Sequence, residues 1–139
     1  MRRAFVIAVL LCGLRPLLAF GADTDTDLSK KLVGIWAVDG SHRNRIDERA
    51  RASNLYVIEE FDPDGNGVAI AYRGANCGEV VNETKFSWSV ADATLLTSFN
   101  GTQYHDKITT LNDSNLVLFS VEQQISQARV KTDACHSTR

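Results

Sequence analysis

Beyond residue 33, hydrophobic and polar residues alternate with a period of two over most of the chain. Phe86, Trp88 and Val90 fall on one side of their segment, and Lys85, Ser87 and Ser89 on the other. That is the pattern of a strand with one buried face, because successive side chains of a strand point to opposite sides. Val117, Phe119 and Val121 repeat it and predict the core face of a later strand. Eight such segments are predicted, over residues 34–39, 55–61, 68–73, 80–90, 95–100, 103–112, 116–122 and 125–132. Asp64-Gly65-Asn66-Gly67, Asn100-Gly101 and Asn112-Asp113-Ser114-Asn115 separate some of them. Gly and Asn tolerate the positive φ of tight hairpin turns, so these stretches predict hairpins. Eight short strands joined in this way form an antiparallel meander, and closing it into an up-and-down β-barrel removes its exposed edges. Ahead of the first strand, Asp27-Leu28-Ser29-Lys30-Lys31-Leu32 predicts a short N-terminal helical turn capped by Asp27.

The first 21 residues follow a different pattern. Arg2 and Arg3 precede an apolar run, and Ala19-x-Gly21 places small residues where a signal peptidase cuts. Arg15-Pro16 interrupts the apolar stretch, and a spanning helix needs about 20 apolar residues, so no stable membrane span is expected. The expected organisation is a signal peptide over 1–21 and one all-β domain over 22–139, secreted or periplasmic. Removing the leader takes Arg2, Arg3 and Arg15 from the 15 Lys+Arg and none of the 17 Asp+Glu, so the formal net charge falls from −2 to −5. An acidic domain lacks the basic stripe that nucleic-acid binding needs.

Of the three cysteines, Cys12 leaves with the leader, and Cys77 and Cys135 remain. In an oxidising compartment the pair reads as one disulfide, contributing on the order of 4 kcal/mol for a loop of this length. Five predicted strands separate the two, so a strict meander puts them at opposite ends of the barrel. A bend dividing the long segment 80–90 is the preferred way to bring them together. A C-terminal tail that folds back, or a missing bond, are the alternatives.

Leu32-Val33-Gly34-Ile35-Trp36, Glu60-Phe61-Asp62-Pro63-Asp64-Gly65-Asn66-Gly67 and Phe86-Ser87-Trp88-Ser89-Val90 resemble the bacterial lipocalin-like (calycin) families. Leu95 and the stretch from Ile108 to Leu118 continue the likeness. The resemblance implies an eight-stranded barrel whose base is closed by Gly34 and Trp36, with Arg129 of the last strand stacked on the tryptophan. The chain is shorter than true lipocalins and lacks their Thr-Asp-Tyr motif.

Chemistry-bearing residues are sparse. Asp62-x-Asp64-x-Asn66-Gly67 matches the front of a calcium loop, but Arg73 stands where a bidentate Glu belongs, and a hairpin turn explains it. Glu59 and Glu60 point to opposite faces of their strand, and either one with His105 is the only ionisable pair that suggests catalysis. No nucleophile–base pair, metal set or cofactor motif is expected, and the chain reads as a non-enzyme. Arg43, Arg45, Arg49 and Arg51 concentrate positive charge between the first two strands. They suggest a gate for an anionic amphiphile, since Arg forks such groups bidentately; a solvated loop is the plainer reading. The function expected first is an exported, non-catalytic module that binds a small apolar or amphiphilic ligand. A barrel that binds an exported protein partner, its interior filled by side chains, is the alternative. Phe86, Trp88, Tyr104 and Phe119 decide between them: if all four fill the interior, no ligand fits.

Overall fold

The alternation closes into a barrel. In a computed structural model that describes residues 23–38, 55–74 and 77–135, helix α1 (Asp25–Leu32) precedes eight strands. These are β1 (Gly34–Val38), β2 (Leu55–Phe61), β3 (Asn66–Arg73), β4 (Glu79–Ala91), β5 (Thr94–Phe99), β6 (Thr102–Leu111), β7 (Asn115–Ser120) and β8 (Ile125–Thr132). Each strand pairs antiparallel with the next, and β8 returns to β1, so the sheet is a closed up-and-down barrel. The leader 1–21, Cys12, His42, His136 and the arginines Arg43, Arg45, Arg49 and Arg51 lie outside the described residues.

One end of the barrel, the base, is solid. Leu32, Trp36, Phe61, Phe86, Trp88, Leu95, Leu116 and Leu118 pack inside it. Phe61 sets its ring edge-on to Phe86 at 5.3 Å and to Trp88 at 5.5 Å, geometries that aromatic quadrupoles favour. Gly67 faces inward beside them, and a Cβ there would collide with the Phe86 ring and the Glu60 carbonyl. The Trp88 indole N–H donates to the carbonyls of Asp62 and Asn66, at 3.1 and 2.8 Å, which fastens the β2–β3 turn across the base.

Helix α1 plugs this end. Its cap is Thr24, whose hydroxyl accepts from the Asp27 N–H and donates to the Asp27 carboxylate at 2.8 Å. Asp27, expected as the cap, instead occupies the third helical position and closes the reciprocal pair. The Asp25 carboxylate accepts from the Asp92 and Ala93 N–H groups of the β4–β5 turn, where both residues have positive φ. Leu28 and Leu32 are the buried face.

Two expectations are corrected. On β7 the inward residues are Leu116, Leu118 and Ser120, each at most 3% exposed, while Val117, Phe119 and Val121 face outward. The segment Leu116-Val117-Leu118-Phe119 is apolar on both faces, so alternation alone does not choose between them. β4 is also one continuous 13-residue strand and is not divided; its register slips once, opposite Ala71/Tyr72. The disulfide Cys77–Cys135 forms by the other route, with a Cα–Cα distance of 5.4 Å. Beyond β8 the chain folds back over the outer wall, where Ile35, Ala37, Ile58, Val68, Ile70 and Tyr72 form a second buried cluster against which both cysteines pack. The Tyr72 hydroxyl reaches the Cys135 carbonyl at 3.5 Å.

Candidate functional site

Above the packed base the interior opens into a cavity of about 290 Å³, roughly the volume of ten waters. Strand register decides what lines it. Val38 ends β1 at the mouth, opposite Arg129 of β8. Glu59 lies opposite Trp36, two residues above Phe61 on the same inward face of β2. Asp106 of β6 pairs with Ser120 of β7, and Gln127 of β8 with Leu118. Val38, Val57, Phe99 and Tyr104 are the apolar part of the lining, and Glu59, Asp106, Ser120, Gln123, Gln127 and Arg129 the polar part. The two interleave, since Val57 and Glu59 share β2, Tyr104 and Asp106 share β6, and Val38 pairs with Arg129. Phe99 joins the base to the cavity: it packs on Phe86 at 4.9 Å and meets Tyr104 edge-on at 6.0 Å.

The polar part is built around a buried ion pair. Arg129 donates from Nε to Glu59 at 2.9 Å and from Nη2 to the other Glu59 oxygen at 3.3 Å. Nη2 also donates to Gln127 Oε1 at 2.8 Å, and Nη1 to the Ala128 carbonyl at 3.2 Å. The Arg129 side chain is 6% exposed and that of Glu59 18%. A desolvated charge is tolerable here because each end of the guanidinium meets an acceptor. Asp106 has no such fork. Burial lifts its carboxyl above the ordinary value, and the Glu59 charge adds to the rise; the Arg129 charge and the Ser120 hydroxyl oppose it.

At the rim, His105 points outward and meets Glu122, Nδ1 to Oε1, at 2.7 Å. The His105 N–H also donates to the same carboxylate. This hydrogen bonding holds the Glu122 carboxyl below its usual value and ties the β7–β8 turn to β6. His105 and Glu59 are therefore on opposite sides of the wall, and Glu60 faces outward on another strand, so the structure brings neither expected pair together. Among the described residues, no three His, Cys, Asp or Glu side chains cluster as a metal site would need.

Gly34 and Trp36 lie at the base. Trp36 is fully buried and donates from its indole to the Leu32 carbonyl at 2.7 Å. The cation over its ring is Lys131, 5.0 Å from the centroid, in the place expected for Arg129. Lys131 Nζ also donates to the Lys31 and Val33 carbonyls at the end of α1, which helices leave unsatisfied. Gly34 has φ +126°, and a Cβ there would come within 2.9 Å of Lys131 Cε. The missing side chain lets the lysine cross to the tryptophan, while Arg129, one inward position further up β8, serves the cavity instead. Asp106 was not singled out from the sequence, although Tyr104-x-Asp106-x-Ile108 places it on an inward face.

The four arginines of the expected gate lie outside the described residues. The described residues nearest their segment on either side are Val38, which lines the cavity, and Leu55, two residues before the cavity residue Val57. Among the described residues no helix is long and apolar enough to cross a membrane. No curated protein and no solved structure matches the chain significantly. The lipocalin-like domain family matches residues 32–118, from the end of α1 into β7 and including both cavity carboxylates, so with its closed eight-stranded barrel the chain belongs to that family.

Proposed function

We propose that this protein is an exported, non-catalytic binding module that holds one small ligand in the mouth of its barrel. The observation that carries the reading is the split interior, with aromatic packing at the base and a 290 Å³ cavity above it. That volume is near the lower end of the about 300–1,000 Å³ of ligand pockets, and a mostly apolar wall with a few convergent polar groups is their usual lining. Of the four aromatic residues whose placement bears on a filled interior, Phe86 and Trp88 pack the base, Tyr104 stands as cavity wall and Phe119 faces outward. The protein-binding alternative with a filled barrel thus draws support from the lower half only.

Export rests on the leader pattern of residues 1–21 and agrees with the Cys77–Cys135 bond. Native mass spectrometry of the protein purified gently from its own host tests the reading. A retained small-molecule adduct is expected, lost in Val57→Trp, which fills the cavity from its apolar lining. A bare chain in both proteins would overturn it. The intact mass of the same sample is expected to start at Ala22, and a mass that includes residues 1–21 would refute cleavage.

A further inference from the structure

We infer that the cavity selects a ligand bearing an ammonium group on a small apolar or aromatic body, with the ammonium against Asp106 and the body between Phe99, Tyr104 and Val57. The inference rests on the binding-module reading and names its ligand class. Among the described residues, three charged side chains line the cavity: the carboxylates of Glu59 and Asp106 and the guanidinium of Arg129. The guanidinium directs its Nε, Nη1 and Nη2 donors at Glu59, Gln127 and Ala128. A carboxylate or phosphate entering the cavity would have to displace Glu59 from that fork while facing Asp106 at close range. An ammonium meets the reverse situation: Asp106 is hydrogen-bonded to the neutral Ser120 hydroxyl and, among the described residues, has no cation matched to it alone, the Arg129 charge being shared with Glu59. Two aromatic rings, Phe99 and Tyr104, line the same cavity with centroids 6.0 Å apart, Tyr104 two residues before Asp106 on β6. Cations are attracted to aromatic faces, most strongly where water is excluded. Gln127 and Ser120 supply further acceptors for ammonium protons. This departs from the anionic amphiphile expected from the arginine segment: the charges on the cavity wall favour the opposite sign.

Calorimetry on the oxidised full protein tests the inference with three isosteric probes, phenethylamine, 2-phenylethanol and phenylacetate. The amine is expected to bind most tightly. Asp106→Asn should weaken it by about 10- to 100-fold, as for a lost hydrogen bond to a charged group, while changing 2-phenylethanol affinity little. Acid should also weaken the amine as Asp106 takes up a proton; the groups facing that carboxyl are Glu59 on β2, Arg129 on β8, Ser120 on β7 and Glu122 on the β7–β8 turn. If 2-phenylethanol or phenylacetate binds as tightly as the amine, the amine class is wrong and the binding module stands. If Asp106→Asn keeps full amine affinity, Asp106 is not the counter-charge and the inference falls. If none of the three binds, the ligand class is overturned, and the native-mass adduct decides separately whether the cavity is occupied at all.

Discussion

The two halves of this barrel are made from the same eight strands and spend their inward positions differently. At the base, inward residues are large and apolar, and Lys131 lies over the ring of Trp36. At the mouth, the same strands turn inward Glu59, Asp106, Ser120, Gln127 and Arg129. β8 shows the change within a few residues: Lys131 serves the base and Arg129 the mouth. Small eight-stranded barrels have just enough interior for side chains to fill. Leaving one half unfilled therefore puts the stability burden on the other, and it separates the residues that fill the barrel from those that line its cavity.

Substitutions can break that separation. Trp36→Ala removes the largest fully buried side chain of the base and is expected to cost about 3–5 kcal/mol, a large part of the about 5–15 kcal/mol available to a domain. Urea unfolding measures it; Val57→Ala, on the half-buried cavity wall, should lose much less, and equal losses would mean that the halves do not differ in kind. Arg129→Met leaves Glu59 buried without its partner, at a cost of about 3–5 kcal/mol. The double variant with Glu59→Met should recover most of it; a double-mutant cycle without coupling would show that the two side chains do not depend on each other.

Replacing Cys77 and Cys135 by Ser frees the tail from the outer wall and is expected to cost about 2–4 kcal/mol while leaving cavity binding in place at low temperature. The smallest effect is a slope with pH. The folded-state value of the Asp106 carboxyl is raised, so the native state binds more protons there than the unfolded chain. Its contribution to stability is complete below the ordinary Asp value of about 3.9 and declines as pH rises through the raised value. Melting curves across that window should fall more steeply for the wild type than for Asp106→Asn, and parallel curves would mean that burial does not penalise this carboxylate.

Alternation made most of the barrel legible, because each strand has to bury one face and the turns between them need Gly or Asn. It failed where that logic lapses. β7 is apolar on both faces, and only packing against Trp36 and Phe86 on one side selects Leu116 and Leu118. The Asp92-Ala93 turn carries neither Gly nor Asn; its positive φ is supported by Asp25 from another element, which no local pattern can show. The cavity half was harder to read. A carboxylate on an inward face, such as Asp106, carries the hydropathy of a surface residue, and only its register beside Tyr104 and Ser120 reveals its place. Arg129 was found through likeness to a family, but its partner depends on Gly34 admitting Lys131 to the tryptophan first.

The seam between β1 and β8 has a further consequence. Seven of the eight pairings join strands adjacent in sequence; this one joins Ile35 to Thr132. Both cations that complete the interior arrive on the strand that makes it. A chain cut short before β8 would keep most of its hairpins, yet it would present two bare strand edges, an uncovered Trp36 and a Glu59 carboxylate with no counter-charge. Closure of the sheet, the cover over the base tryptophan and the charge balance of the upper interior thus all depend on the last strand to be made.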